Sequence, residues 1–252
     1  MKKEVENIVP YNREERKTDQ VRAMFNNIAP NYDRFNHTAS MGIDRYWRRK
    51  GIMVLKAFGP KDILDVATGT GDYAINAFNL LHPERITGID LSTGMMEIGK
   101  KKVSSLGLSE SISFKQEDCT SLSFNDDFFD AVIAAFGVRN FENMEAGYAE
   151  MFRVMKPGGH LSILELTTPQ SFPMKQMYHF YTKTVIPFLG KSLSKDKRAY
   201  EYLPESIAAV PQFAAMTRIL SKVGFRNARF ESLTFGICGL YTAEKPNEPT
   251  TK

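Results

Sequence analysis

Ile63 to Ala74 reads Ile-Leu-Asp-Val-Ala-Thr-Gly-Thr-Gly-Asp-Tyr-Ala, and it constrains the chain more than any other stretch. An apolar run ends in an acid and then breaks into two glycines one residue apart. The pattern predicts a buried strand feeding a tight turn, where backbone replaces side chain and a ligand can lie close.

The surroundings support a sheet. From Lys61 the chain alternates strands, near 62–66, 86–90, 112–116, 130–136 and 160–166, with helices near 72–81, 93–106 and 142–155. Such alternation predicts an α/β fold with a doubly wound, mostly parallel sheet. Lys156-Pro157-Gly158-Gly159 reads as a turn that ends the preceding helix. Residues 169–210 break the rhythm, which resumes with a helix near 211–223 and strands near 228–233 and 237–244. The expected sheet therefore has seven strands, with a helical insertion before the last two.

The expected organisation is a polar arm over 1–20, a single domain over 21–245 and a polar tail over 246–252. Within the domain, 21–58 forms a helical cap whose second helix spans about Ile43 to Phe58, and 169–210 forms a helical lid. The insertion carries an apolar stripe of Met174, Met177, Tyr178, Tyr181, Val185 and Phe188 at helical spacing, beside Lys175, His179 and Lys183. Pro187 is expected to end or kink that helix. The stripe fits either a helix packed on the core or a lid lining a channel.

Composition excludes several classes. Apolar content is 42% and charged content 25%, as in ordinary globular chains, and no window approaches a membrane span. The start, Met1-Lys2-Lys3-Glu4, lacks the apolar stretch of a signal peptide. Cys119 and Cys238 lie far apart in sequence, which suggests free thiols in a reducing cytoplasm, with a single disulfide left open. His37, His82, His160 and His179 show no ligand spacing, so no metal is expected. A net charge of +4 is too mild to argue for nucleic acid.

Two ligand classes use the glycine turn. Gly69, Gly71 and Ala74 fit the dinucleotide pattern G-x-G-x-x-A, which alone is weak. S-adenosylmethionine is the other, and Asp65 favours it. A carboxylate there suits an ammonium and sits poorly beside a pyrophosphate; a plain cap is its alternative reading. Asp90 closes the second strand, where an acid can accept both ribose hydroxyls of either ligand; its alternative is a helix cap. Asp118 closes the third strand, where an acid can take an adenine amine, with Cys119 beside it; its alternative is an exposed loop acid. The fourth strand ends in Ala134-Ala135-Phe136-Gly137-Val138-Arg139-Asn140, small residues and then polar ones entering the pocket.

These features resemble class I S-adenosylmethionine-dependent methyltransferases. More narrowly, the chain is similar to the UbiE/MenG family of quinone-biosynthesis C-methyltransferases over residues 20–245. The marks are F-x-x-I-A-P-x-Y-D-x-x-N from Phe25 to Asn36, Ser40 to Arg48, the glycine loop, Phe136 to Asn140, Val154 to Gly159, Glu165-Leu166, and Tyr200-x-Tyr202-Leu203-Pro204-x-Ser206-Ile207. The resemblance implies a Rossmann-like fold and cofactor contacts from Thr70, Asp90, Asp118 and Cys119. It departs from the family at three places. Asp118-Cys119 replaces a common Asn-Ala, Ala135 replaces a common Ser, and Asp44 replaces a common His.

The resemblance further implies methyl transfer to a ring carbon of a polyprenylated quinol, demethylmenaquinol first and a methoxy-benzoquinol of ubiquinone biosynthesis second. The substrate must be the reduced quinol, because loss of a hydroxyl proton makes the ring carbon nucleophilic. Arg139 and Asn140 are the candidates to polarise the quinol oxygen, with Tyr32 behind them and His179 as a weaker one; a lone histidine is more often structural. Arginine stays charged, so stabilising a phenolate suits it better than accepting a proton. Transient contact with an anionic membrane at the inner face is expected, through the lysines of the insertion. Two other classes stay open: a nucleotide-binding reductase and a silent binding module.

Overall fold

Apolar residues of the central strands fall alternately into two layers, and that alternation organises the molecule. Ile63, Ala131, Ile133 and Leu164 pack on one side with Trp47 and Tyr73. Leu64, Val66, Val132, Ala134 and Ile163 pack on the other with Tyr148, Met216 and Leu220. A period of two, buried on both faces, is what a sheet between helical layers requires. The computed structural model describes residues 5–12, 14–186 and 196–247.

The described chain runs α1 (Lys17–Ile28), α2 (Tyr32–Ala39), α3 (Ile43–Met53), β1 (Asp62–Val66), α4 (Asp72–Leu81), β2 (Arg85–Asp90), α5 (Thr93–Ser105), β3 (Ile112–Gln116), β4 (Phe129–Ala135), α6 (Met144–Val154), β5 (Met155–Leu166), α7 (Met174–Phe180), α8 (Lys197–Ala209), α9 (Ala214–Val223), β6 (Arg226–Leu233) and β7 (Cys238–Glu244). The sheet order is β3-β2-β1-β4-β5-β7-β6. β7 runs antiparallel to both its neighbours, and the other pairings are parallel. The order reverses between β1 and β4, so the crevice beyond their carboxyl ends is the place for a ligand. A third apolar cluster joins Met24, Ile28 and Phe35 to Ile186, Tyr200 and Tyr202, and roofs that crevice.

Several elements depart from expectation for local reasons. β5 starts at Met155, so Lys156 to Gly159 lies within the strand. A register shift opposite Phe129 and Ala131 absorbs Pro157, and Gly158, at φ +75°, donates to the Lys245 carbonyl at 2.8 Å. α3 ends at Met53, and a 3₁₀ turn over Lys56–Phe58 buries Leu55 while Phe58 stays exposed. α9 starts only at Ala214 because Phe213 sits at φ +53° and donates its amide to the Tyr241 hydroxyl.

The polar segment before residue 20 is packed at several of its described positions. Val5 and Ile8 are buried, α1 begins at Lys17, and Lys17 and Gln20 are 3% and 1% exposed. In the insertion, α7 buries none of its residues and continues into a π-helical turn over Tyr181–Val185, so it is not a plain core helix. Pro187 and Phe188 lie outside the described residues. Both cysteines are free and buried, so the disulfide left open by sequence is not formed.

Candidate active site

The turn after β1 is built from backbone that side chains resist. Ala67, Gly69 and Gly71 take positive φ values of 55°, 56° and 79°. A Cβ on Gly137 would fall 2.4 Å from that of Ala67, so only glycine lets the loops after β1 and β4 touch. At the end of the neighbouring strand β2, Asp90 ties the glycine turn to the start of α5. Its carboxylate accepts from the Gly69 and Ser92 amides, each at 2.8 Å, while burial pushes its carboxyl above the ordinary value against those bonds. Asp118 uses one oxygen to accept from the Thr120 amide and hydroxyl at 2.9 and 2.8 Å. Glu117 is engaged by Lys115 and Ser123. Burial raises the Cys119 thiol well above its usual value.

Gly69, Asp90, Asp118 and Cys119 line one cavity, together with Ile89, Met95 and Phe141. Asp65, Thr70 and Gly71 stand behind its wall. Asp65 is fully buried; one oxygen accepts from the Thr68 hydroxyl at 2.6 Å and the other has no partner. Burial pushes its carboxyl up to about 7. Thr70 turns away and donates to Asp33 at 2.6 Å. Gly71 caps α4 from the left-handed region.

A second cavity of about 150 Å³ lies under the helical roof, walled by aromatic residues such as Phe35, Trp47, Tyr178 and Tyr200. Its polar groups include Asp44, Arg48, Arg139 and Asn140. Phe25, Tyr32, Phe136 and Asn140 line both cavities, so the two meet at these four side chains.

Of the expected quinol-side residues, Tyr32 and Asn140 lie at this meeting point and Arg139 lines the aromatic cavity alone. Asn140 accepts from the Tyr202 hydroxyl at 3.1 Å through its carbonyl oxygen, which leaves its amide nitrogen uncommitted to that bond, and the residue lines both cavities. Arg139 is paired with Glu165 at 2.8 Å, with side chains only 7% and 1% exposed. Burial is the largest influence and opposes its charge, but Glu165, Tyr32 and Tyr202 together more than offset it and raise the group above its ordinary value. Burial raises the Tyr32 phenol, partly offset by the positive charges of Arg139 and Arg48. Burial also pushes Tyr178 up to about 12. His179 is exposed and takes no place in either cavity.

Other contributors escaped the sequence reading. Lys17 is buried and donates to the Val5 and Arg139 carbonyls at 2.7 and 3.2 Å, and burial lowers its ammonium to about 8. Thr18 and Arg22 join the first cavity from the segment that composition alone presents as polar surface. Arg48 has its Asp44 neighbour at the i,i+4 spacing of a helix, a signal the sequence carries, whereas nothing local to Glu165 shows its partner Arg139, 26 residues away. The described residues contain no cluster of His, Cys, Asp or Glu arranged to hold a metal ion, and no helix long and apolar enough to cross a membrane.

Comparison with known proteins follows the same lines. A demethylmenaquinone methyltransferase of Bacteroides fragilis is 60% identical over 240 residues, 95% of this chain and 98% of that protein. Its counterpart in Porphyromonas gingivalis is 50% identical over 95% and 98% of the two chains. A ubiquinone/menaquinone biosynthesis C-methyltransferase UbiE of Geotalea daltonii is 42% identical over 91% and 97%. Among solved structures, an S-adenosylmethionine-dependent methyltransferase of Aquifex aeolicus shares the fold at TM-score 0.55 and 20% identity, over 77% of this chain and 88% of that one. Phosphoethanolamine N-methyltransferase 2 of Haemonchus contortus does so at TM-score 0.58 and 16% identity, over 78% and 52%. The model of the UbiE/COQ5 methyltransferase family matches residues 13–245, and with near-full-length relatives at such identity the chain belongs to that family.

Proposed function

We propose that this protein methylates a ring carbon of demethylmenaquinol, using S-adenosylmethionine. The observation that carries the reading is the meeting of a cavity edged by strand-end acids with an aromatic one, at Phe25, Tyr32, Phe136 and Asn140. The names of the most similar relatives above support the substrate, and they favour it over a benzoquinol.

The residues of the first cavity fit the cofactor. Asp90 retains lone pairs for ribose hydroxyls after its two backbone bonds, and Asp118 with the Cys119 backbone suits an adenine edge. Gly69 permits close approach, while Thr70 and Gly71 shape the turn from behind. The orphaned oxygen of Asp65 is a buried acceptor without a donor, as an ammonium site would leave it. When bound, S-adenosylmethionine supplies a methyl group made electrophilic by its sulfonium. The protein's own work is alignment and charge. Aromatic walls hold the ring and exclude water, which strengthens every electrostatic contact inside. Asn140 donates to the quinol oxygen, Arg139 adds positive potential beside it, and Tyr32 closes the wall between the cavities.

Contact with an anionic membrane belongs to the same reading. Phe172, Met177 and Phe180 are 82%, 59% and 66% exposed, and Lys175 and Lys183 are exposed beside them. Flotation with anionic vesicles should carry the protein upward; its absence with and without quinol counts against that contact. The free, buried thiols fit a reducing cytoplasm.

Mass spectrometry of products tests the whole reading. Offered reduced demethylmenaquinone and methoxy-benzoquinol together, the protein should methylate the first. Exclusive methylation of the second, or of neither, overturns it.

A further inference from the structure

Arg48 presents a chemical puzzle. Its side chain is 9% exposed, it lines the aromatic cavity, and its Nε is buried with no hydrogen-bond partner. Asp44, one turn earlier on α3, approaches Nε only to 3.5 Å. That carboxylate is already engaged, accepting from the Ser40 hydroxyl at 2.7 Å and lying 3.0 Å from His37 Nδ1. The guanidinium carbon lies 5.3 Å from the centre of the Phe136 ring, one of the four side chains where the cavities meet. A buried cation whose donors lack acceptors is costly unless a ligand completes it.

Arg139 offers the contrast. Its terminal nitrogen and its backbone amide both bond the Glu165 carboxylate, at 2.8 and 3.0 Å. Arg139 Nε is likewise without a partner, but its guanidinium is paired with a carboxylate at 2.8 Å, whereas Asp44 approaches that of Arg48 only to 3.5 Å. We propose that Arg48 is a catalytic residue that binds the ionised quinol oxygen and stabilises it as a phenolate. This rests on the proposed function and adds the group that carries its charge chemistry. The quinol O–H bond breaks, its electron pair stays on oxygen opposite Arg48, and the proton passes to water. The carbon next to that oxygen becomes the nucleophile. Arginine suits the task because it holds its charge and stacks on an aromatic face.

The charged and titratable groups around Arg48 come from several elements: Asp44 on its own helix, His37 and Tyr32 from α2, Asp65 from β1, Tyr73 from α4 and Cys238 from β7. Among the described residues, Asp44 is the carboxylate paired with Arg48, so substitutions at 48 change the potential at the cavity directly.

The test uses full-length Arg48→Gln and Arg48→Lys with 4-nitro-1-naphthol as a chromophoric stand-in for the quinol, in the presence of S-adenosylhomocysteine. Absorbance titration should find the bound naphthol ionising at lower pH than free naphthol in the parent protein. In Arg48→Gln the midpoint should return upward by at least about one pH unit, with Arg48→Lys between. Calorimetric S-adenosylhomocysteine affinity should stay within about twofold, while demethylmenaquinol turnover by Arg48→Gln falls about 10²–10³-fold. Three results overturn the assignment: no shifted midpoint in the parent, the same midpoint in Arg48→Gln, or a turnover loss that tracks lost cofactor binding. If the midpoints move as expected but the parent methylates no demethylmenaquinol, the proposed substrate fails and the phenolate site stands.

Discussion

The two cavities are built by different means. The first is lined by strand ends and the loops that leave them, and its acids are held by backbone amides within a few residues or across one strand pair. Asp90 on Gly69 and Ser92, and Asp118 on Thr120, are examples. The second is lined by side chains from α1, α2, α3, the loop after β4, α7 and α8, brought together by an apolar roof. Backbone geometry fixes the one, and tertiary packing fixes the other. The first should therefore lose function locally when a residue is removed, whereas the second should lose stability along with function.

The largest expected effect tests the packed side. Arg139→Ala leaves Glu165 buried without its cation, which should cost about 3–5 kcal/mol of unfolding free energy in urea. Replacing both residues together, Arg139→Met with Glu165→Met, should recover most of that loss, because no uncompensated charge remains. At temperatures where Arg139→Ala stays folded, turnover should fall while S-adenosylhomocysteine binding holds. An unchanged urea midpoint for the single variant would show that the pair does not secure the wall.

The same difference explains what could be read beforehand. The glycine turn, Asp90 and Asp118 are legible because each follows an apolar strand and precedes a helix, and β1 and α4 fall where periodicity puts them. The roof is illegible in its details. Lys17 meets the Arg139 carbonyl 122 residues away, and Trp47 donates to the Thr234 hydroxyl 187 residues away. No local pattern reports such pairings. Lys156 to Gly159 misleads for the opposite reason: proline and glycines announce a turn, and the pairing of β5 with β4 and β7 overrides it with a bulge. Asp44, seven residues beyond His37, meets its imidazole Nδ1 at 3.0 Å, a contact within reach of local sequence.

An intermediate effect sharpens the backbone side. Asp90→Ala removes the proposed acceptor for ribose hydroxyls and two ties on the loop. Calorimetry should find S-adenosylhomocysteine affinity lowered about 10–100-fold, the worth of one or two hydrogen bonds to a charged group. Binding of 4-nitro-1-naphthol should stay within about twofold. Equal losses for both ligands would mean that the cavities are one mechanical unit, and the distinction between them would fall.

The smallest effect concerns Asp65, which lies one layer below the first cavity. Burial raises its carboxyl from the ordinary aspartate value to about 7. A raised acid is harmless while protonated. As pH climbs from about 4 the unfolded chain ionises first, so this group removes stability progressively until about pH 7, and the penalty is constant above that. A cation brought against the orphaned oxygen reverses the shift. Cofactor binding near pH 7 should then expel up to about half a proton from each molecule. Calorimetric titration with S-adenosylhomocysteine in two buffers of different ionisation enthalpy measures that number directly. Asp65→Asn should bring it to zero and flatten the stability profile between pH 4 and 7. Binding by the parent protein without proton release would mean that Asp65 never meets the ammonium. Its place would then be purely structural, beneath a loop that Thr68 holds down, and the first cavity would rest on backbone geometry more completely than its acids suggest.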